Sequence, residues 1–230
     1  MSMSAANVTA IGSLDGAGQN GGDNNVVYQI VGQPLGVFYL PHCKGLVKNE
    51  NGSYSYDIED LDHNGKVDLS DGGDRYIAGQ ATPKVILGSN ISFRYKNYYV
   101  SIQMNGAFGH KIFNGTGLAY TSMACFPDYN VLKDAPKKNI VDQRVSDYWL
   151  EKGDYLNFEH LTLGYNVPLR SKLVRSLRVS CNISNLGTIT SYKGLTPMIN
   201  SYVVNSTMGI DDKRNYPLYR TYSLGLSVQF

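Results

Sequence analysis

Cysteine is scarce. Cys43, Cys125 and Cys181 are the three in 230 residues, and their odd number and wide spacing exclude a disulfide framework or a metal knuckle. Glutamate is scarcer than it should be for a helical protein, with four Glu against fifteen Asp. Few strong helix formers, set against many aromatic and turn residues, argue against a helical bundle. Charge of one sign is also missing: 21 basic and 19 acidic side chains leave a net charge of +2, which excludes a nucleic-acid binder that works by bulk charge. No run of about 18 apolar residues is present, so no helix of this chain spans a membrane. The first residues lack a basic segment followed by an apolar core and do not read as a secretory signal. On these absences alone the chain looks soluble.

What is plentiful changes that picture. Tyr occurs 18 times, Gly 24 times, and Asn and Ser 20 times each. At the end of the chain Tyr222, Leu224, Leu226, Val228 and Phe230 alternate with Ser223, Gly225, Ser227 and Gln229. Strict period two means a strand with one apolar and one small polar face. The pattern recurs upstream. Leu177, Val179, Cys181 and Ile183 alternate with Arg178, Ser180, Asn182 and Ser184. Leu161, Leu163, Tyr165 and Val167 alternate with Thr162, Gly164 and Asn166. Tyr98, Val100, Ile102 and Met104 form another apolar series, and Val85, Leu87, Ile91 and Phe93 a fifth.

The connections predict short turns at 94–97 and 168–176 and long irregular segments at 11–83, 109–154 and 192–217. Loops this long are uncommon in compact soluble domains, whereas short turns on one side and long loops on the other are the pattern of an outer-membrane barrel. A soluble sandwich also alternates, but it turns charge outward. Here the polar faces are Ser, Asn, Gly, Thr and Gln, which suits a wet lumen wall with Tyr, Phe, Leu and Val toward lipid. Tyr98, Tyr165 and Tyr222 near strand ends fit an interfacial girdle. The expected fold is all-β: an antiparallel transmembrane β-barrel segment with long extracellular loops.

Five segments in order then resemble the SusC/RagA-type TonB-linked outer-membrane proteins. The run LNFEHLTLGYNVP at 156–168 resembles that family's RLKNLTLGYNLP signature. GQPLGVF at 32–38 resembles its G-x-P-x-G-x-F stretch, and DLDHNG at 60–65 its D-x-N-x-D-G loop. NISNL at 182–186 resembles an N-x-x-N-L strand end. Gly209-Ile-Asp211, Tyr216-Pro217 and Arg220-Thr221 resemble the closing G-I-D…Y-P…R-T-Y-S segment. The resemblance implies a 22-stranded barrel closed by a plug, of which this chain supplies about six strands of the C-terminal part. It implies energised import of oligosaccharides or peptides across the bacterial cell outer membrane, with a SusD-like surface lipoprotein as lid and TonB acting on the plug. Neither plug nor TonB contact segment is recognised in the sequence. The remaining barrel, the plug and outer-membrane lipid are then partners, and Tyr222 to Phe230 is the terminal strand that closes the barrel. Counting back from that strand makes the short turns periplasmic and the long loops extracellular. The expected organisation is a partial barrel strand at 1–10, an extracellular loop region at 11–82, and barrel strands with extracellular loops at 83–230.

One motif could hold a metal. Asp60, Asp62 and Asn64 stand at positions 1, 3 and 5 of a twelve-residue calcium loop at 60–71, with Gly65 at 6, the Lys66 carbonyl at 7, Asp68 at 9 and Asp71 at 12. Hard cations need several oxygens around one point, and alternate residues on a turning backbone supply them. Asp71 in place of a bidentate Glu should weaken affinity, and a solvated acidic turn is the competing reading. Aromatic side chains gather in the long loops: Tyr54 and Tyr56, Phe126 and Tyr129, Tyr148 and Trp149, Tyr192 and Tyr202. Such rings could stack on substrate or touch the lid, with Trp149, Tyr148, Tyr192 and Tyr202 foremost; the competing reading is packing between loops. His42, His63, His110 and His160 are scattered, no serine sits in a nucleophile elbow, and no phosphate loop is present, so no enzyme is expected. Two rivals remain: a passive porin or adhesin-type barrel, and a soluble calcium-binding β interaction module.

Overall fold

A computed structural model describes residues 8–13, 25–70, 72–123, 126–170, 173–199, 208–213 and 216–230. The strands, in chain order, are β1 (Val8–Ser13), β2 (Asn25–Ile30), β3 (Val37–Leu40), β4 (Cys43–Lys48), β5 (Tyr54–Ile58), β6 (Tyr76–Gln80), β7 (Val85–Tyr95) and β8 (Tyr98–Phe108). They continue as β9 (Lys111–Asn114), β10 (Leu150–Lys152), β11 (Tyr155–Val167), β12 (Ser176–Thr190), β13 (Ile210–Asp211) and β14 (Thr221–Gln229). Two short helices, α1 (Gly115–Thr121) and α2 (Ala135–Lys138), lie between β9 and β10. The chain divides into two units.

The first unit comprises 84–108, 154–191 and 217–230. It is one antiparallel five-stranded sheet in the order β14-β12-β11-β8-β7. Each strand corresponds to one of the alternating segments of the sequence. The turn at 96–97 is tight because Lys96 adopts a left-handed conformation, φ 52°. Register sets the two faces. Tyr95, Tyr98, Tyr165, Val179 and Leu226 form one row on the apolar face, and Arg94, Tyr99, Gly164, Ser180 and Gly225 form the adjacent row on the polar face. Leu224 is 85% exposed and Phe230 78% exposed. An open apolar face this extensive is untenable in water but natural against lipid.

The second unit comprises 1–83, 109–153 and 192–216. These segments are not the irregular loops expected from the sequence. They hold a four-stranded sheet β1-β2-β3-β6, a three-stranded sheet β10-β9-β13 and the hairpin β4-β5. Their core includes Val26, Val27, Phe38, Leu40, Phe113, Leu118, Ile140 and Ile210. The strands escaped the alternation test because several are buried on both faces; all four residues of β3 are buried. Such strands read as short apolar runs with no period. The partial barrel strand at 1–10 also needs correction. Residues 1–7 lie outside the described part, and β1 pairs with β2, Val8 opposite Ile30 and Ser13 opposite Asn25. It belongs to this unit's sheet and not to the five long strands.

Candidate functional site

The polar face of the long sheet is a hydrogen-bonded ladder. The Thr162 hydroxyl donates to Asn182 Oδ1 at 2.9 Å, and Thr188 donates to Asn157 Oδ1 at 2.9 Å. Ser101 donates to Asn90 Oδ1 at 3.1 Å, and His160 Nδ1 meets Ser184 Oγ at 3.1 Å. A register shift between Phe158 and His160 leaves Glu159 as an extra residue against β8, where Met104 and Gln103 are consecutive, while on β12 Asn185 and Leu186 lie between the partners Ser184 and Gly187. Glu159 Oε2 accepts from Gln103 Nε2 and Asn105 Nδ2, each at 3.2 Å. Cross-strand pairs of small polar groups satisfy one another, so the face can stay wet without long charged side chains.

In the other unit the acidic loop folds much as its spacing requires. Asp60 Oδ2 accepts the Gly65 N–H at 2.8 Å, and Asp62 Oδ1 accepts the Asn64 N–H at 3.1 Å. Asn64 Oδ1 accepts the Lys66 N–H at 2.8 Å, and Asp68 Oδ1 the Ser70 N–H at 2.9 Å. Gly65 supplies the sharp turn at φ 83°, a conformation that costs a side chain dearly. Burial works to raise the Asp60 pKa, but hydrogen bonds from Gly65, Asp62, Asn64 and His63 outweigh it and hold the group below its ordinary value. The Ser70 amide and hydroxyl hold Asp68 below its ordinary value too.

The sequence reading missed Asp74. It is 1% exposed, and its Oδ1 accepts the N–H groups of Leu61 at 2.7 Å and Asp62 at 3.3 Å. Its Oδ2 accepts the Asp68 N–H at 2.7 Å. Asp60, Asp62 and Asp74 each bring a carboxylate oxygen within 4.8 Å of the others. Asp71, the expected twelfth position, lies outside the described residues. The twelve-residue template stops there, whereas the chain turns at Gly72 and Gly73 and returns with Asp74. Both Asp74 oxygens hold amides, so Asp74 pins the loop from beneath, while Asp60, Asp62 and Asn64 accept N–H groups from within the loop itself.

No family model matches this sequence. Among curated proteins, the chain is 28% identical over 228 residues to TonB-dependent receptor P3 of Formosa agariphila, across 86% of this chain and 22% of that protein. It is 26% identical over 224 residues to TonB-dependent receptor SusC of Bacteroides thetaiotaomicron, across 91% of this chain and 21% of that protein. The chain thus spans about a fifth of the length of these relatives. Among solved structures it resembles the RagAB peptide importer in the open-open state, with TM-score 0.67 and 18% identity over 94% of this chain and 24% of that one. The closed-closed state gives TM-score 0.65 and 17% identity over 89% of this chain and 24% of that one. The chain resembles receptors of the SusC/RagA type.

Ring stacking on a ligand needs exposed aromatics, and the structure reassigns two of those chosen from the sequence. Trp149 is 6% exposed in the core, and its Nε1 donates to the Tyr56 hydroxyl at 2.9 Å. Tyr192 is also buried, and its hydroxyl donates to Asp211 Oδ2 at 2.7 Å. Both rings are packing elements, and burial pushes the Tyr192 phenol well above its usual range. Tyr148 is 37% exposed and meets the Tyr56 and Trp149 rings edge-on at 5.5 and 5.0 Å. Tyr202 lies outside the described residues. A second feature missed in the sequence is Asp147, which receives His42 Nδ1 at 2.6 Å, the Tyr76 hydroxyl at 2.7 Å and the Cys43 N–H at 2.7 Å. It ties segments about 100 residues apart, a link with no local sequence signal.

Proposed function

We propose that this chain is the C-terminal wall segment of a TonB-dependent outer-membrane importer of oligosaccharides or peptides. The observation that carries the reading is the five-stranded antiparallel meander with a lipid-suited face and a wet, hydrogen-bonded face. No helix among the described residues is long and apolar enough to cross a membrane, so strands do the crossing. The role is transport, not catalysis. TonB supplies energy through the plug of the whole protein, and a SusD-like surface lipoprotein closes over the cargo; the neighbour whose structure is described as a peptide importer supports a peptide or a similar oligomer. The second unit, on the chain direction read from the sequence, is extracellular.

The same reading assigns calcium to Asp60, Asp62, Asn64 and the Lys66 carbonyl, with Asp68 at the loop's ninth position, as a rigidifier of the extracellular loop. The donor set is all oxygen, as a hard cation requires. Calorimetric titration of the whole receptor with calcium should show one binding event that the Asp62→Ala/Asn64→Ala variant loses; equal heat from both proteins would defeat the assignment. For the importer reading, the intact receptor should fractionate with outer membranes and change gel mobility on heating. Cells lacking TonB should lose uptake while a passive porin would keep it. Uptake independent of TonB would refute energised import.

A further inference from the structure

Charge is spread unevenly along the five long strands. In sequence, the two short turns and the strand residues beside them carry Arg94, Lys96, Arg170, Lys172, Arg175 and Arg178, whereas 84–108, 160–191 and 217–230 hold no Asp or Glu. The rest of the chain then has 15 basic against 19 acidic residues, so the basic excess of the protein belongs to one end of one sheet. At the opposite end Arg220 is taken up internally, donating to the Asn185 and Leu186 carbonyls.

Lys96 and Arg175 go with the apolar face. Tyr95, Tyr98 and Tyr165 form the apolar-face row nearest the 96–97 turn, on three adjacent strands. Tyr95 is 59% and Tyr98 60% exposed, and the Tyr98 and Tyr165 rings meet at 4.7 Å, tilted by 41°. The left-handed conformation at Lys96 brings its Nζ to 5.4 Å from the Tyr95 ring centroid. Arg175 continues the odd-numbered series of Leu177 and Val179, and its N–H donates to the Gln229 carbonyl at 2.7 Å, at the end of the β12-β14 ladder. Leu173, in the turn before it, is 82% exposed. Lys96 and Arg175 are both exposed, and neither makes an ion pair among the described residues. Arg178 differs: it belongs to the polar face, with its guanidinium 5.2 Å from the Tyr99 ring centroid and its Nε donating to Asn166 Oδ1 at 2.9 Å.

Resting on the barrel reading above, we propose that Lys96 and Arg175, with the Tyr95, Tyr98 and Tyr165 row, form a docking surface for the phosphate headgroups of anionic phospholipid in the periplasmic leaflet. The occupant follows from what borders the surface. A tyrosine ring lies in acyl chains with its hydroxyl at headgroup level, and a long cationic side chain beside it reaches the same level by laying its stem along the apolar surface. The rings thus set the depth, and the cations stand where phosphates lie. The surface continues the face suited to lipid, so a protein partner would first have to displace lipid from it. The complete lack of acids favours an anionic headgroup over a zwitterionic one. Lys96 and Arg175 stand about three strand spacings apart, roughly 14 Å, so each meets a separate headgroup.

Native mass spectrometry of the intact receptor, delipidated in detergent and mixed with phosphatidylglycerol or phosphatidylcholine, tests this surface. Phosphatidylglycerol should bind in preference. Lys96→Gln and Arg175→Gln should each weaken that binding about five-fold, the factor for one cation beside an anionic surface. Lys96→Arg and Arg175→Lys should keep it, and Arg178→Gln, on the other face, should leave it unchanged. Equal binding of the two lipids would overturn the proposal, as would an equal loss in Arg178→Gln. Displacement of the lipid by inorganic phosphate would overturn it too, because the acyl chains would then have no part in docking. Lipid A bound in preference to phosphatidylglycerol would assign the surface to the other leaflet and overturn it as well. All variants should keep the heat-modifiable gel mobility of the wild type. Its absence from the wild-type receptor would instead refute the barrel reading, and this surface with it.

Discussion

Replacing Gly164 with alanine is the sharpest local test of the wall. The new Cβ would lie 1.8 Å from Tyr99 Cε1, 2.0 Å from Cζ and 2.4 Å from the hydroxyl oxygen. Two carbon atoms at van der Waals contact need roughly 3.5–4 Å, so a methyl cannot share this site with the ring. The strand backbone is held by β8 on one side and β12 on the other, so the ring is the part that must move. Overpacking of this kind costs about 1–3 kcal/mol. Displacing the ring also removes the shelf under Arg178, about 0.5–1 kcal/mol at an exposed site. The variant should therefore unfold about 2–3 kcal/mol more easily. Urea unfolding of the receptor in lipid vesicles measures this through the loss of its heat-resistant gel mobility. The decisive construction is a double-mutant cycle. Tyr99→Ala empties the space, so the doubly substituted protein should be more stable than the sum of the single effects, with a coupling of about 1–3 kcal/mol. Additivity within about 0.5 kcal/mol would show that Tyr99 does not occupy the space above residue 164.

Three other outcomes are expected. Asp74→Ala should strip the acceptors from the amides of Leu61, Asp62 and Asp68, costing about 1–3 kcal/mol, and hydrogen exchange should quicken at those three amides first. Trp149→Phe should destabilise the protein by about 1–2 kcal/mol through a buried Tyr56 hydroxyl left without its donor, while substrate affinity in a binding assay stays unchanged. Asp60 and Asp68 have folded pKa values below the ordinary aspartate value of 3.8. Their contribution to loop order is therefore complete above that value and is lost as pH falls through the lowered folded values. Loop amide protection measured down a pH series should hold at neutral and mildly acidic pH and fail only at the strongly acid end.

Legibility followed the surroundings of each segment. The five long strands could be read because each separates two media along its whole length. Leu224 and Ser223 face different solvents, and the sequence records the difference residue by residue. Strand β3 separates nothing, since Val37, Phe38, Tyr39 and Leu40 are all buried. Helix α1 is seven residues long and begins Gly-Thr-Gly, a segment whose own propensity opposes helix; tertiary packing supplies what the sequence pattern withholds. The acidic loop was visible in its first half because Asp60, Asp62, Asn64 and Gly65 act on their own neighbours. Asp74 was not, because its role depends on a chain reversal. Trp149 was misread for a related reason: a lone large ring in a loop advertises contact, but nothing nearby in sequence says that Tyr56 covers it.

The bulge at Glu159 has a meaning beyond its hydrogen bonds. It acts on the wall as an inserted letter acts on a reading frame. Below it, Leu161, Leu163 and Tyr165 point to the apolar side on odd numbers; above it, Leu156 and Phe158 point there on even numbers, with Phe158 opposite Met104 and Leu161 opposite Ile102. Glu159 is the single extra position that reconciles the two phases. Its deletion would remove the bulge and leave Phe158 and His160 in unbroken register with Met104 and Gln103, whereas an ordinary pleat that kept Glu159 would turn Leu156 and Phe158 into the lumen and Asn157 into lipid. The one acidic residue of the five strands thus stands where the strand changes phase, and its charge marks that position as lumenal.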